Sequence, residues 1–238
     1  LDFKDVYDGL SDKYRIVLVE RAGYGYSEDT SQSRDVAVVL SETRQALAKA
    51  NVSGPYIVIS HSMASLETLL WQENYPSEVK AVVGLDWAFP ESYSHLKRHP
   101  QMLRLARWGS QLGLLRLLPR QLYVPNENLS DSDRRLYQKI AYRQLLSQAM
   151  LNESLCVKEN AKKVNSTSIK SQMPVLLMVS NGKGTGFSQE QWRHYAISFA
   201  KNQENIELAF YDAPHYFYHY QTKEVIRSIE DFIQETTD

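Results

Sequence analysis

A single cysteine, Cys156, stands in 238 residues, which excludes an internal disulfide and suits a reducing, cytoplasmic compartment. No apolar run approaches the roughly 20 residues of a membrane-spanning helix, and no signal-peptide pattern opens the chain. An excess of either charge is also missing: 27 Lys and Arg stand against 28 Asp and Glu, a formal net charge of −1. That balance advertises neither a nucleic-acid partner nor an anionic membrane surface. His, Cys, Asp and Glu nowhere take metal-ligand spacing. No G-x-G-x-x-G follows a strand, and NGKGTG at 181–186 does not match the Walker pattern. Neither a metal nor a cofactor is therefore expected.

The chain does carry enough apolar residues, 43%, for one sizeable core. Five short runs rich in Val, Ile and Leu read as buried parallel strands: Arg15–Val19, Pro55–Ile59, Lys80–Leu85, Pro174–Val179 and Ile206–Tyr211. Helical stretches alternate with them at Arg34–Asn51, Ala64–Tyr75, Ser188–Asn202 and Thr222–Glu235. This alternation predicts βαβ units, hence an α/β fold with a mostly parallel central sheet flanked by helices. One interval breaks the rhythm. Trp87–Met173 reads as helices only, at Gln101–Leu118, Ser130–Leu146 and Asn152–Val164, with Ser130 and Asp133 as an N-cap start. The expected organisation is a core of residues 1–86 and 174–238, with an all-helical cap of residues 87–173 inserted between two strands. The first of these helices, with Leu105, Trp108, Leu112 and Leu115, is apolar on more than one face and is expected to pack between layers.

Ser62 stands out. In VISHSMASLETLL it follows a strand, opens a helix, and has small residues two before and two after it, Ser60 and Ala64. Such a corner holds a serine in a strained conformation with its hydroxyl above the sheet; the plainer reading is a helix N-cap. A serine hydroxyl is a poor nucleophile until a base takes its proton. His215 follows the last strand and precedes the last helix, so it reaches the same sheet edge as Ser62. His61 is expected to point away across the turn. His95, His99 and His194 have nothing to orient them, and His219 reads as structural. An orienting carboxylate is absent from the loop Ser180–Phe187, but Asp86 ends the third strand. The alternatives are that Asp86 caps a helix, or that Glu190 takes the role from too far into the next helix.

Ser62, Asp86 and His215 in this chain order, on a parallel sheet with a helical insertion, resemble the α/β-hydrolase superfamily. VERAGYGYSED (Val19–Asp29) looks like its D-x-x-G-x-G-x-S loop, with Glu20 in place of the aspartate. SHSMAS looks like its G-H-S-M-G-G elbow, and HYFYHYQTKEVI like its H-x-x-x-H-x-x-P-E-x-V ending. LARWGSQLGLLRLLP resembles its lid helices. The resemblance spans the whole chain and implies a serine hydrolase acting through an acyl-enzyme on a small-molecule substrate, a small apolar ester first and an N-terminal prolyl peptide second. Met63 N–H is the implied oxyanion donor. Asp86 sits one strand earlier than the acid of most members. Non-catalytic binding on the same fold and acyl transfer remain open. The resemblance also implies an internal strand and a second oxyanion donor upstream of Leu1, and whatever precedes Leu1 bears on membrane anchoring.

Overall fold

Four of the five apolar runs form the sheet. β1 (Tyr56–His61), β2 (Val79–Leu85), β3 (Val175–Val179) and β4 (Ile206–Phe210) are all parallel, in the order β1-β2-β3-β4. The computed structural model describes every residue except 98, 119–125, 127, 165–168, 170–172, 202 and 238. Asn202, the expected end of one helix, therefore lies outside the described residues. The helices, in chain order, are α1 (Lys4–Leu10), α2 (Val36–Lys49), α3 (Ser65–Asn74), α4 (Ser92–His95), α5 (Pro100–Gln111), α6 (Asp131–Gln144), α7 (Gln148–Val164), α8 (Gln189–Ala200) and α9 (Thr222–Thr237).

β2 and β3 are buried on both faces, which is why their sequences are unbroken apolar runs. Alternate residues serve opposite sides. Val82, Val175, Leu177 and Val179 join a core with α2, α3, α7 and α8 residues, while Val83, Leu85, Leu176 and Met178 join a second core with Val6 and Leu10 of α1 and Val225, Ile229 and Phe232 of α9. Each fully buried aliphatic side chain contributes roughly 1.5–3 kcal/mol. The sheet is thus the middle layer of three.

Two expectations are corrected. Arg15–Val19 is not a strand: it makes no ladder with any described strand, and Val17, Leu18 and Val19 are exposed. Its composition suits a strand, but a strand exists only through a neighbour that takes its hydrogen bonds. β1 is accordingly an edge strand and is only half-buried. The second correction concerns α5, which buries none of its residues; its apolar side faces outward instead of packing between layers. Elsewhere the expected elements form. Ser130 caps α6 by accepting from Asp133 N–H, and Ser188 with Gln191 closes a full capping box on α8. The residues between β2 and β3 carry α4 to α7, with α7 packed against α3, α4 and α5.

Candidate active site

In a parallel sheet every loop after a strand emerges on one edge, so the ladder decides which loops meet. His61 pairs with Leu85 and Leu85 with Met178, which leaves Ser62, Asp86 and the start of the loop after β3 side by side. His215 comes from the loop after β4, one strand further on, and its N–H donates to the carbonyl of Lys183 in the neighbouring loop at 2.9 Å.

Ser62 has φ +54°, in the left-handed region that a non-glycine residue rarely adopts. It begins a 3-10 turn, Ser62–Ala64, that runs straight into α3. Its carbonyl accepts from Ala88 N–H at 3.2 Å, and Ser65 Oγ donates to the Ala88 carbonyl at 2.7 Å, tying this corner to the loop after β2. Ser60, where glycine is usual, accepts from Thr68 Oγ1 and from Trp87 Nε1, both at 2.9 Å. Trp87 reaches it by lying across Gly84, where a Cβ would come within 2.9 Å of the indole. Glycine is needed at 84 for that close approach.

Three residues singled out in the sequence are brought into one hydrogen-bonded line. Ser62 Oγ lies 2.9 Å from His215 Nε2, and His215 Nδ1 lies 2.5 Å from Asp86 Oδ2. Asp86, also left-handed at φ +46°, is fully buried. A buried carboxylate needs its lone pairs filled, and three more donors do so: Ser180 N–H at 2.7 Å, Ser180 Oγ at 2.7 Å and Trp192 Nε1 at 2.8 Å. Ser180, which opens the loop after β3 and carries no local mark of a donor, braces the acid from the next strand. Glu190 is exposed in the first turn of α8; Trp192, two residues on, is the residue of that helix that reaches Asp86. Met63 N–H lies in the first turn after Ser62, where helical amides have no acceptor of their own.

His61 corrects the expectation that it points away. Its ring lies 4.4 Å from that of His215, centroid to centroid, and within 5.3 Å of Tyr216 and Tyr218. Nε2 donates to the carbonyl of His215 at 3.1 Å, which assigns the proton to that nitrogen. Burial, with the charge of His215 behind it, pushes the His61 pKa down to about 3. His219 donates from Nε2 to the Asp2 carbonyl, consistent with a structural role; His95 bonds Tyr195 and His194 bonds Ser198. Glu20 accepts from Tyr26 N–H at 2.8 Å and folds over Gly25, where a Cβ would stand 2.1 Å from its carboxylate.

The His61 shift has a measurable consequence. In the unfolded chain the imidazole takes up a proton as pH falls through about 6.5, whereas the folded protein resists until about 3. Between those values the unfolded state holds the extra proton, so stability is full above 6.5 and is lost as pH falls. Burial lowers the His219 pKa as well and adds in the same direction. From pH 8 to pH 5 the His61 share is at most about 2 kcal/mol. Urea midpoints at the two pH values should differ less in His61→Gln than in the native protein; an unchanged difference would clear His61 of this role.

No protein-family model matches the chain. It is 30% identical over 250 residues to the Bacillus subtilis protein YbdG, covering 98% of this chain and 74% of that one. A Schizosaccharomyces pombe protein, C23C11.06c, is 31% identical over 117 residues, covering 48% of this chain and 22% of its own length. Among solved structures, an epoxide hydrolase from Bacillus megaterium superposes with a TM-score of 0.71 at 16% identity, covering 98% of this chain and 88% of that one. An esterase from Thermogutta terrifontis superposes with a TM-score of 0.66 at 15% identity, covering 99% and 85%. Likenesses of that kind, at such low identity, carry the fold. The chain thus has the α/β-hydrolase fold and belongs to one family with YbdG.

Proposed function

We propose that this protein is a serine hydrolase cleaving an ester-like bond through an acyl-enzyme. The observation that supports the reading most is the unbroken line from Ser62 Oγ through His215 to Asp86, with Ser62 in a strained backbone conformation. Ser62 attacks the carbonyl carbon as His215 Nε2 takes its proton. Asp86 holds Nδ1–H, keeps Nε2 free as the base and stabilises the imidazolium. Met63 N–H donates to the oxyanion. His215 returns the proton to the leaving group, and water, activated in turn by His215, releases the acid and restores Ser62.

The proposed substrate is a small carboxylic ester, admitted beneath a lid formed by the helices between β2 and β3. Trp87 and Phe89 of that segment are buried in the core, and Leu105 and Trp108 are exposed.

Intact mass after treatment with a fluorophosphonate tests the reading. One adduct is expected on the native protein and none on Ser62→Ala, followed by turnover of short-chain esters. Absence of an adduct on folded protein would overturn the reading in favour of a binding protein on the same fold.

A further inference from the structure

α5 is mounted with its polar side inward. Ser110 Oγ donates to the Leu145 carbonyl at 2.7 Å, and Arg107 approaches Asp29 at 4.0 Å. The opposite side presents Met102, Leu105, Trp108 and Leu112 at spacings of three, three and four residues, one helical stripe. Leu105 is 67% exposed and Trp108 61%. The stripe continues into exposed Leu114 and Leu117 of the 3-10 turn that follows. Leucine and tryptophan in such a row, bare to water, are unusual on a protein surface and mark an interaction site.

Charge indicates what covers it. Between Glu91 and Glu127 the sequence holds six cations, Lys97, Arg98, Arg104, Arg107, Arg116 and Arg120, and no acid. The net charge of −1 averages this basic segment against an acidic remainder. Lys97, Arg104 and Arg116 are exposed, so the apolar stripe is bordered by positive charge. Two copies of this face pressed together would set those cations against one another. An anionic lipid surface complements both features, taking the apolar stripe at the acyl boundary and the cations at its headgroups.

We propose that α5 and the turn after it dock on an anionic phospholipid bilayer, lying in the interface without crossing it. Among the described residues, no helix is long and apolar enough to cross a membrane. The proposal goes beyond the hydrolase reading and stands whether or not Ser62 is catalytic.

Vesicle flotation tests it, with tryptophan emission as a second readout. Trp71, Trp87 and Trp192 are buried, so a shift on adding vesicles reports Trp108. The full chain should float with phosphatidylcholine–phosphatidylglycerol vesicles at low salt and shift its emission to the blue. It should do neither with phosphatidylcholine alone, and high salt should release it. Leu105→Glu, and separately Arg104→Glu with Arg116→Glu, should each weaken binding by about tenfold or more while leaving the melting temperature unchanged. Failure to float with the anionic vesicles would overturn the proposal, as would flotation indifferent to both variants. Sedimentation showing a dimer that Leu105→Glu dissolves, with no vesicle binding, would assign the face to a second copy instead.

Discussion

Asp86→Asn should fold and yet lose about 10,000-fold in kcat/KM against any ester the native protein turns over, or about 5.5 kcal/mol of transition-state stabilisation. The reason lies in which oxygen faces which donor. Oδ1 accepts from Ser180 N–H and Trp192 Nε1, two nitrogens that can only donate. An asparagine must therefore turn its carbonyl to that side, which leaves its NH2 facing His215 Nδ1. The imidazole then offers Nδ1 as acceptor and carries its proton on Nε2, aimed at Ser62, where it can no longer take one. Ser180 Oγ can rotate to accept, so folding is largely spared. Activity within tenfold of native would remove Asp86 from the proposed role; measurement of kcat/KM with a matched melting curve distinguishes that from misfolding.

Glu153→Ala should be the most destabilising of the single changes considered, by about 3–5 kcal/mol. Glu153 lies on α7, almost fully buried, and accepts from Tyr24 OH at 2.6 Å while facing Arg34 at 3.4 Å and Arg21 at 3.7 Å. Arg34 is wholly buried, its Nη1 paired with Glu42 at 2.7 Å and its Nε without a partner among the described residues. Burial works against the charge of Arg21, but Glu67 and Glu153 outweigh it and raise its pKa. Removing Glu153 leaves both guanidiniums short of an anion in a place that water reaches poorly. At about 2–4 °C per kcal/mol for a chain of this size, the melting temperature should fall by on the order of 10 °C. Glu153→Gln, which keeps an acceptor for Tyr24, should fall less. A drop below about 3 °C for the alanine variant would show that the cluster contributes little. The same cluster ties α7 to the loop after Arg15–Val19 and, through Glu67, to α3, the helix that follows the turn holding Ser62, so these elements should loosen together.

The line of Ser62, His215 and Asp86 was legible because each residue follows an apolar run, and in a parallel sheet all such positions share one edge. Asp86 was found by elimination, since the loop after β3 holds no carboxylate. Its braces were not. Ser180 and Trp192 reach it across 94 and 106 residues of chain, and nothing local in either segment marks a donor. His61 differs for a related reason: sequence adjacency to Ser62 says where its Cα sits, while the ring's direction depends on the His215 carbonyl, 154 residues further along the chain, and on Tyr216 and Tyr218 just after it.

Apolar periodicity and chain order by themselves determined the α/β class, the four strands of the sheet and the three residues of the line. Those features follow from local pattern together with the rule that parallel strands require crossovers. Whether an apolar segment is actually covered was decided only by the tertiary structure. Arg15–Val19 has strand composition and α5 has core composition, yet the first finds no described partner strand and the second turns its leucines and Trp108 outward. Composition records a side chain's affinity for burial; the neighbour that satisfies it is a property of the assembled surface.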